Sequence, residues 1–328
     1  MNNRISVIIP CYNAEKFIDT GITSIYEQDY PDVELIIVND GSTDRSEDKV
    51  LAWVDSFQQK GYQLKYFRQE NQGQAAATSL ALKHVTGEYL TLLDADDYFL
   101  PNSFQKRAEF LDAHPDYVGV RSNGWMVRGE QKELFITSDE EKAITNMFDG
   151  LLFGKTNNWA GSYMIRTDAL FECYPDRNIY PSRAGQNMQI LLPVAYGRKF
   201  GYIDEPLMAY VLHEDSHSQA RSPEEQYQKD EKNQQGYRDI YLHMLNMILK
   251  DPTEHRKYRD IFDASYYRCA MLRAQKYRKQ EQLEQSYHAL AATGYATLND
   301  RICYYDSRKS PTAFFLKILR KIKSLTGR

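Results

Sequence analysis

The sequence predicts an α/β protein, with a mostly parallel sheet flanked by helices and an all-helical C-terminal unit. Two observations lead there. Apolar runs of four to six residues alternate with helical patterns through the first hundred residues. The runs are near-continuously apolar, which is how strands covered on both faces read. Beyond Ser222, only helical patterning remains.

In order, strands are expected at 5–9, 35–38, 64–68 and 89–93, with helices at 17–26, 44–59 and 75–84 between them. A helix at 101–113 carries Pro101 in its first turn, where a missing N–H costs nothing. Strands at 117–121 and 125–127 and a helix at 137–153 follow. A boundary near 220 divides a catalytic domain, 1–220, from a helical one, 221–328. Ser222 fits an N-cap, Pro223 the first helical position and Glu225 the far side of a capping box. Further helices at 237–249, 253–279, 282–293 and 311–325 are separated by Asp251-Pro252, Gly294 and Ser310-Pro311.

A chain of 328 residues holds one large domain and a smaller unit. Its net charge of −4 hides an asymmetry: residues 222–328 carry 20 Lys and Arg against 13 Asp and Glu, leaving −11 elsewhere. An acidic catalytic half argues against nucleic acid as a partner, because phosphate backbones are held by Lys and Arg. Cys11, Cys173, Cys269 and Cys303 show neither metal-ligand spacing nor a C-x-x-C pair, which suits a reducing compartment. No stretch approaches the ~20 apolar residues of a membrane span. A cytoplasmic protein is expected.

Asp94, Ala95, Asp96 and Asp97 follow the strand at 89–93, so three carboxylates stand at the end of a buried strand, where open α/β sheets keep their ligands. Carboxylates this close raise one another's pKa, and a divalent cation neutralises them. Three further segments precede them: Ser6 to Asn13 (SVIIPCYN), Glu34 to Asp44 (ELIIVNDGSTD) and Asn71 to Ala77 (NQGQAAA). In this order and spacing the chain resembles glycosyltransferase family 2, the inverting nucleotide-sugar transferases with a GT-A fold, strongly over 4–125 and more weakly to about 218.

The resemblance implies roles. Pro10, Tyr12 and Asn13 would line the nucleobase site, and Asp40 would accept a hydrogen bond from the base. An acceptor-only carboxylate there suits uracil, hence a UDP-sugar. Asp94, with Ala95 beside it, would face the donor ribose or the metal, and Asp96 would ligate Mn²⁺ or Mg²⁺. His213, closing the run from Tyr202, matches a family histidine that reaches the metal, a third ligand as neutral imidazole. Asn158 to Ser162 resembles the family's glycine loop. There Gly161 would let backbone approach the sugars and Trp159 would offer a stacking face to the acceptor.

The chain departs from the family twice. Its general base lies in a Gly-Glu-Asp motif, yet here the sequence reads Gly185-Gln186-Asn187, and neither amide abstracts a proton. Gln186 and Asn187 are left to bind acceptor hydroxyls. Asp204, Glu205, Glu214 and Asp215 are the nearby carboxylates. After Asn71-Gln72-Gly73, the family's Ala-Arg-Asn is replaced by Ala77-Thr78-Ser79, removing a cation from near the diphosphate.

The expected activity is metal-dependent inverting transfer of a glucose- or N-acetylglucosamine-type sugar from UDP to a growing glycan, on protein or lipid, of a bacterial surface. The alternative is a weak or inactive scaffold that organises a glycosylation complex. A nucleotidyltransferase would need a glycine-rich triphosphate loop near the N-terminus, which is absent. Tyrosines interleaved with Arg and Lys in the helical region suggest homo-oligomerisation or acceptor docking. In the last helix Phe314, Phe315, Ile318, Leu319, Ile322 and Leu325 face Lys317, Arg320, Lys321 and Lys323, a pattern for peripheral contact with an anionic membrane.

Overall fold

The computed structural model describes residues 3–213, 222–310, 312, 313, 316 and 317. The chain divides into two compact units, Met1–Ser216 and His217–Arg328.

In the first unit, β1 (Ile5–Cys11), β2 (Val33–Asp40), β3 (Gln63–Gln69) and β4 (Tyr89–Leu92) form a parallel block in the order β3-β2-β1-β4. Every residue of β1, β2 and β4 is buried, which explains their near-continuous apolar sequence; β3, at the edge, is half-exposed. α1 (Ile18–Tyr26), α2 (Ser46–Leu51), α3 (Val54–Lys60) and α4 (Gln74–Leu82) make the crossovers.

Past β4 the sheet is mixed. β5 (Tyr98–Phe99), β6 (Tyr117–Arg128), β7 (Gln131–Leu134), β8 (Tyr163–Arg166) and β9 (Lys199–Val211) complete the order β4-β8-β6-β9-β5, with β7 on β6. β4–β8, β6–β8, β5–β9 and β6–β7 are antiparallel, while β6–β9 is parallel with register shifts around Ser122 and Asn123. Those shifts hid β6 from sequence reading as two short strands.

The helix expected over 137–153 is two, α6 (Asp139–Lys142) and α7 (Met147–Leu152). Ser138 accepts from Glu141 N–H and Asn146 from Asp149 N–H, so each starts a helix of its own. The pattern at 44–59 likewise splits, at Ala52-Trp53, where the indole turns to Asp19 Oδ1 at 3.2 Å. α5 (Ser103–Ala113), α8 (Thr167–Cys173) and α9 (Asn187–Ala195) complete this unit.

At the opposite end of the sheet from the Asp94 loop, fully buried Glu34 of β2 ties together β1, β3 and the turn before β4. It accepts from Ser6 Oγ, from Thr86 N at 2.6 Å and Oγ1 at 2.8 Å, and from Lys65 Nζ at 2.7 Å. Burial alone would raise its pKa, but Lys65, Ser6 and Thr86 hold it below the ordinary value of 4.5. A depressed carboxylate contributes its stability above the unfolded-state value and loses it as the pH falls through the folded one. Glu34→Gln is therefore expected to cost about 3 kcal/mol at pH 7 and to flatten the loss of stability below pH 4.5. Urea melts from pH 3 to 7 read both.

The second unit contains α10 (Pro223–Ile248), α11 (Pro252–Lys276), α12 (Gln280–Ala292) and α13 (Leu298–Ser307). Ser222 Oγ accepts from Glu225 N–H at 3.1 Å, and Asp251 caps α11 with Pro252 in its first turn. α13 was not expected; its start is a capping box of Thr297 and Asp300, the latter also gripped by Arg268 at 2.9 Å. Several tyrosines serve the interior. Tyr287 and Tyr304 stack at 3.9 Å beside Met271 and Leu290, and Tyr227 is buried, whereas Tyr237 and Tyr295 are exposed. The helix expected over 311–325 lies outside the described residues except at Thr312, Ala313, Leu316 and Lys317. Among the described residues no helix is long and apolar enough to cross a membrane.

Candidate active site

Three loops meet at the carboxyl ends of β1, β2 and β4. Asn13 adopts a left-handed φ of 49°; its Oδ1 accepts from Thr43 N–H at 2.9 Å and its own N–H donates to Ser42 Oγ at 2.9 Å. This stitching fixes the turn that presents Tyr12, which is 48% exposed at the end of β1, while Pro10 remains buried within the strand. Asp40 is buried and already bonded, accepting from Gln69 Nε2 at 2.7 Å, Gln72 N–H at 2.9 Å and Gly73 N–H at 2.8 Å. A carboxylate has about four lone-pair positions, so one more donor fits. Gly41, at φ +77°, lets Asn71 close on it: a Cβ there would stand 2.8 Å from Asn71 N.

After β4 the chain turns, Asp97 N–H donating to Asp94 O at 3.1 Å. Asp94 points inward. The Gln186 amide bonds to it, one of its oxygens has no partner among the described residues, and burial together with the Asp96 charge pushes its carboxyl up to about 7. Asp96 is 44% exposed, with Oδ2 3.9 Å from Nε2 of His213. That nitrogen is buried and unpartnered among the described residues, and the imidazole packs on Phe17 at 4.0 Å.

Asp97 is not a helix cap. Its Oδ1 accepts from Val211 N–H at 2.9 Å, and burial next to Asp94 pushes it up to about 9. This bond clips the end of β9 to the aspartate loop, and His213 follows two residues later. α5 starts instead at Asn102, with no side-chain cap.

Among the described residues no three His, Cys, Asp or Glu side chains gather as a metal cage. The expected trio is thus not preassembled, because Asp94 is turned to Gln186. Asp96 and His213 do converge, each with free coordinating atoms. An open two-residue site fits Mg²⁺ or Mn²⁺, which are held by one or two protein ligands with substrate phosphates completing the shell.

Among the residues expected to meet the acceptor, Trp159 stacks on Tyr210 at 4.8 Å and meets Phe135 edge-on at 4.3 Å. One indole face is therefore taken by Tyr210. Gly161 is required by φ +80° and by packing: a Cβ would stand 3.1 Å from both Leu93 and Met208, so its bare side faces the core rather than a sugar. Its carbonyl accepts from the buried Arg107 at 2.6 Å. Asn187 opens α9 and accepts from Tyr163 OH at 3.4 Å. Gln186, buried, is occupied with Asp94.

Asp204 and Glu205 do not replace the base. Asp204 pairs with Lys142 at 2.7 Å and Glu205 with Lys106. Asp204 also precedes the end of β9 at Val211 by seven residues, roughly 23 Å along a strand. Glu214 and Asp215 lie outside the described residues.

The family model "Glycosyl transferase family 2" matches residues 6–174, more than half of the chain. The chain belongs to glycosyltransferase family 2. It is 39% identical over 108 residues to an uncharacterized glycosyltransferase of Haemophilus influenzae, covering 33% of this chain and 42% of that relative, so it spans less than half the relative's length. Among solved structures, residues 1–349 of Staphylococcus aureus TarS with UDP-GlcNAc superpose with a TM-score of 0.56 at 19% identity, covering 93% of this transferase and 92% of that chain. The Pyrobaculum calidifontis mannosyltransferase PcManGT, in complex with GDP-Man and Mn²⁺, gives 0.56 at 19% identity, covering 100% and 88%. Both establish the shared GT-A fold.

Sequence reasoning missed three contacts at this end of the sheet: Asp97 as the β9 clip, Tyr163 beside Asn187, and Arg183, which holds Asn71 from 112 positions away. Only Asp97 had a local signal, its place beside the D-x-D pair. The others depend on pairings that the mixed half of the sheet creates.

Proposed function

We propose that this transferase moves a glucose- or N-acetylglucosamine-type sugar from a UDP donor, with inversion, to a growing bacterial surface glycan on protein or lipid. The observation that carries the reading is the convergence of exposed Tyr12, the Asp40-walled loop and the Asp96–His213 pair at one end of the sheet. Tyr12 offers a ring to the base, and the Asp40 pocket favours a base with a ring N–H. Asp96 and His213 would hold Mn²⁺ or Mg²⁺, which supplies charge neutralisation to the leaving diphosphate. The solved relatives with UDP-GlcNAc and with GDP-Man and Mn²⁺ support donors of this class.

Residues 1–220 carry the transfer in this reading, and 221–328 dock the acceptor or a second copy. The chain works in the cytoplasm, at the inner face of the membrane where its acceptor is lipid-linked. Light scattering tests the second copy, and flotation with anionic vesicles tests the membrane contact.

Gln186 and Asn187, in place of carboxylates, favour a second reading, in which the fold binds donor but transfers slowly as part of a complex. Nucleotide release from UDP-GlcNAc, UDP-glucose and GDP-mannose with Mn²⁺ separates these. Release of UDP but not GDP is expected. GDP release alone overturns the uracil assignment, and none from any donor favours the scaffold.

A further inference from the structure

Arg183 is exposed on the loop between α8 and α9. Its guanidinium grips one residue twice, Nη1 donating to Asn71 Oδ1 at 2.8 Å and Nη2 to Asn71 O at 2.9 Å. Its Cγ is 3.2 Å from where a Gly73 Cβ would stand, and Gly73 N–H is one of the donors held by Asp40. The Arg183 loop thus rests on the nucleobase end of the site. Three residues later the same loop reaches the other end, where Gln186 bonds to Asp94.

A nucleoside diphosphate laid from Tyr12 to Asp96 passes its phosphates between these two anchor points. The surroundings are acidic, with Asp40, Asp94 and Asp96 along the path, and α4 contains no Lys or Arg. A neutral amide is a modest partner for an exposed guanidinium. A diphosphate offers charge-assisted, bidentate bonds of roughly twice the strength.

We propose that Arg183 is the phosphate-binding cation of this transferase, exchanging Asn71 for the donor diphosphate. The inference rests on the nucleoside-diphosphate reading above.

The test compares Arg183→Gln, Arg183→Lys and Asn71→Ala with the unaltered full chain, using UDP by calorimetry with Mn²⁺ and uridine by NMR titration. Arg183→Gln is expected to weaken UDP by at least about tenfold, from loss of hydrogen bonds to a charged group, while uridine changes less than about twofold. Arg183→Lys recovers part of the loss, since charge persists without the planar fork. Asn71→Ala, which frees the guanidinium, does not reproduce the selective loss of UDP. Equal weakening of UDP and uridine in Arg183→Gln would show that Arg183 only braces the Asn71–Gly73 loop and would overturn the proposal, as would undiminished UDP affinity. Failure of the unaltered chain to bind UDP removes the donor reading itself, a result distinct from either.

Discussion

Asp96→Asn is expected to lower transfer by about 10³-fold, the scale of losing a charge-stabilising group aimed at the leaving diphosphate. The side chain is 44% exposed and lies 3.9 Å from the His213 imidazole, so the fold does not depend on it. The amide keeps the shape and removes the charge that would hold a cation. Steady-state rates with saturating donor, beside a thermal melt within about 2 °C of the parent, check the effect. A variant that retains a tenth of the activity would show that the cation, if used, is held elsewhere.

Asn187→Asp is expected to raise kcat by about 10²-fold, the lower range of general-base catalysis. The position is prepared for a carboxylate: it opens α9, where the helix N-terminus favours negative charge, and Tyr163 OH already donates to its Oδ1 at 3.4 Å. The gained group ionises as pH rises, so the rate of the variant should climb through its pKa on the acid side, a limb the parent lacks. An unchanged rate and profile would place the base outside α9, and Glu214→Gln and Asp215→Asn would then be the variants to compare.

What could be read from sequence follows from where the partners lie. β1, β2 and β4 are legible because strands buried on both faces leave near-continuous apolar runs, and the parallel block with its crossovers follows from them. Asp40 and Asp96 stand at strand ends as their segments' spacing implies, while the roles expected of them come from the family resemblance. His213 was placed near the metal by resemblance alone, and its pairing with Asp96 is a product of the Asp97–Val211 bond, 114 residues apart. Trp159 and Gly161 illustrate the reverse. Their residue types suit a sugar site, but Tyr210 covers one indole face, and Leu93 with Met208 fills the space beside the glycine. Those neighbours come from β9 and the loop after β4, which sequence spacing does not bring together. Gln186 was read as an acceptor contact because amides bind hydroxyls; burial against Asp94 gives it the separate work of orienting a carboxylate.

The most direct test of the central claim is UDP binding by calorimetry with and without Mn²⁺, on the intact chain and on Asp96→Asn. The account predicts that Mn²⁺ tightens UDP binding by at least about tenfold in the parent, as a cation bridging protein and phosphates requires, and has no such effect in the variant. Equal Mn²⁺ dependence in both proteins, or no UDP binding by the parent, would contradict it.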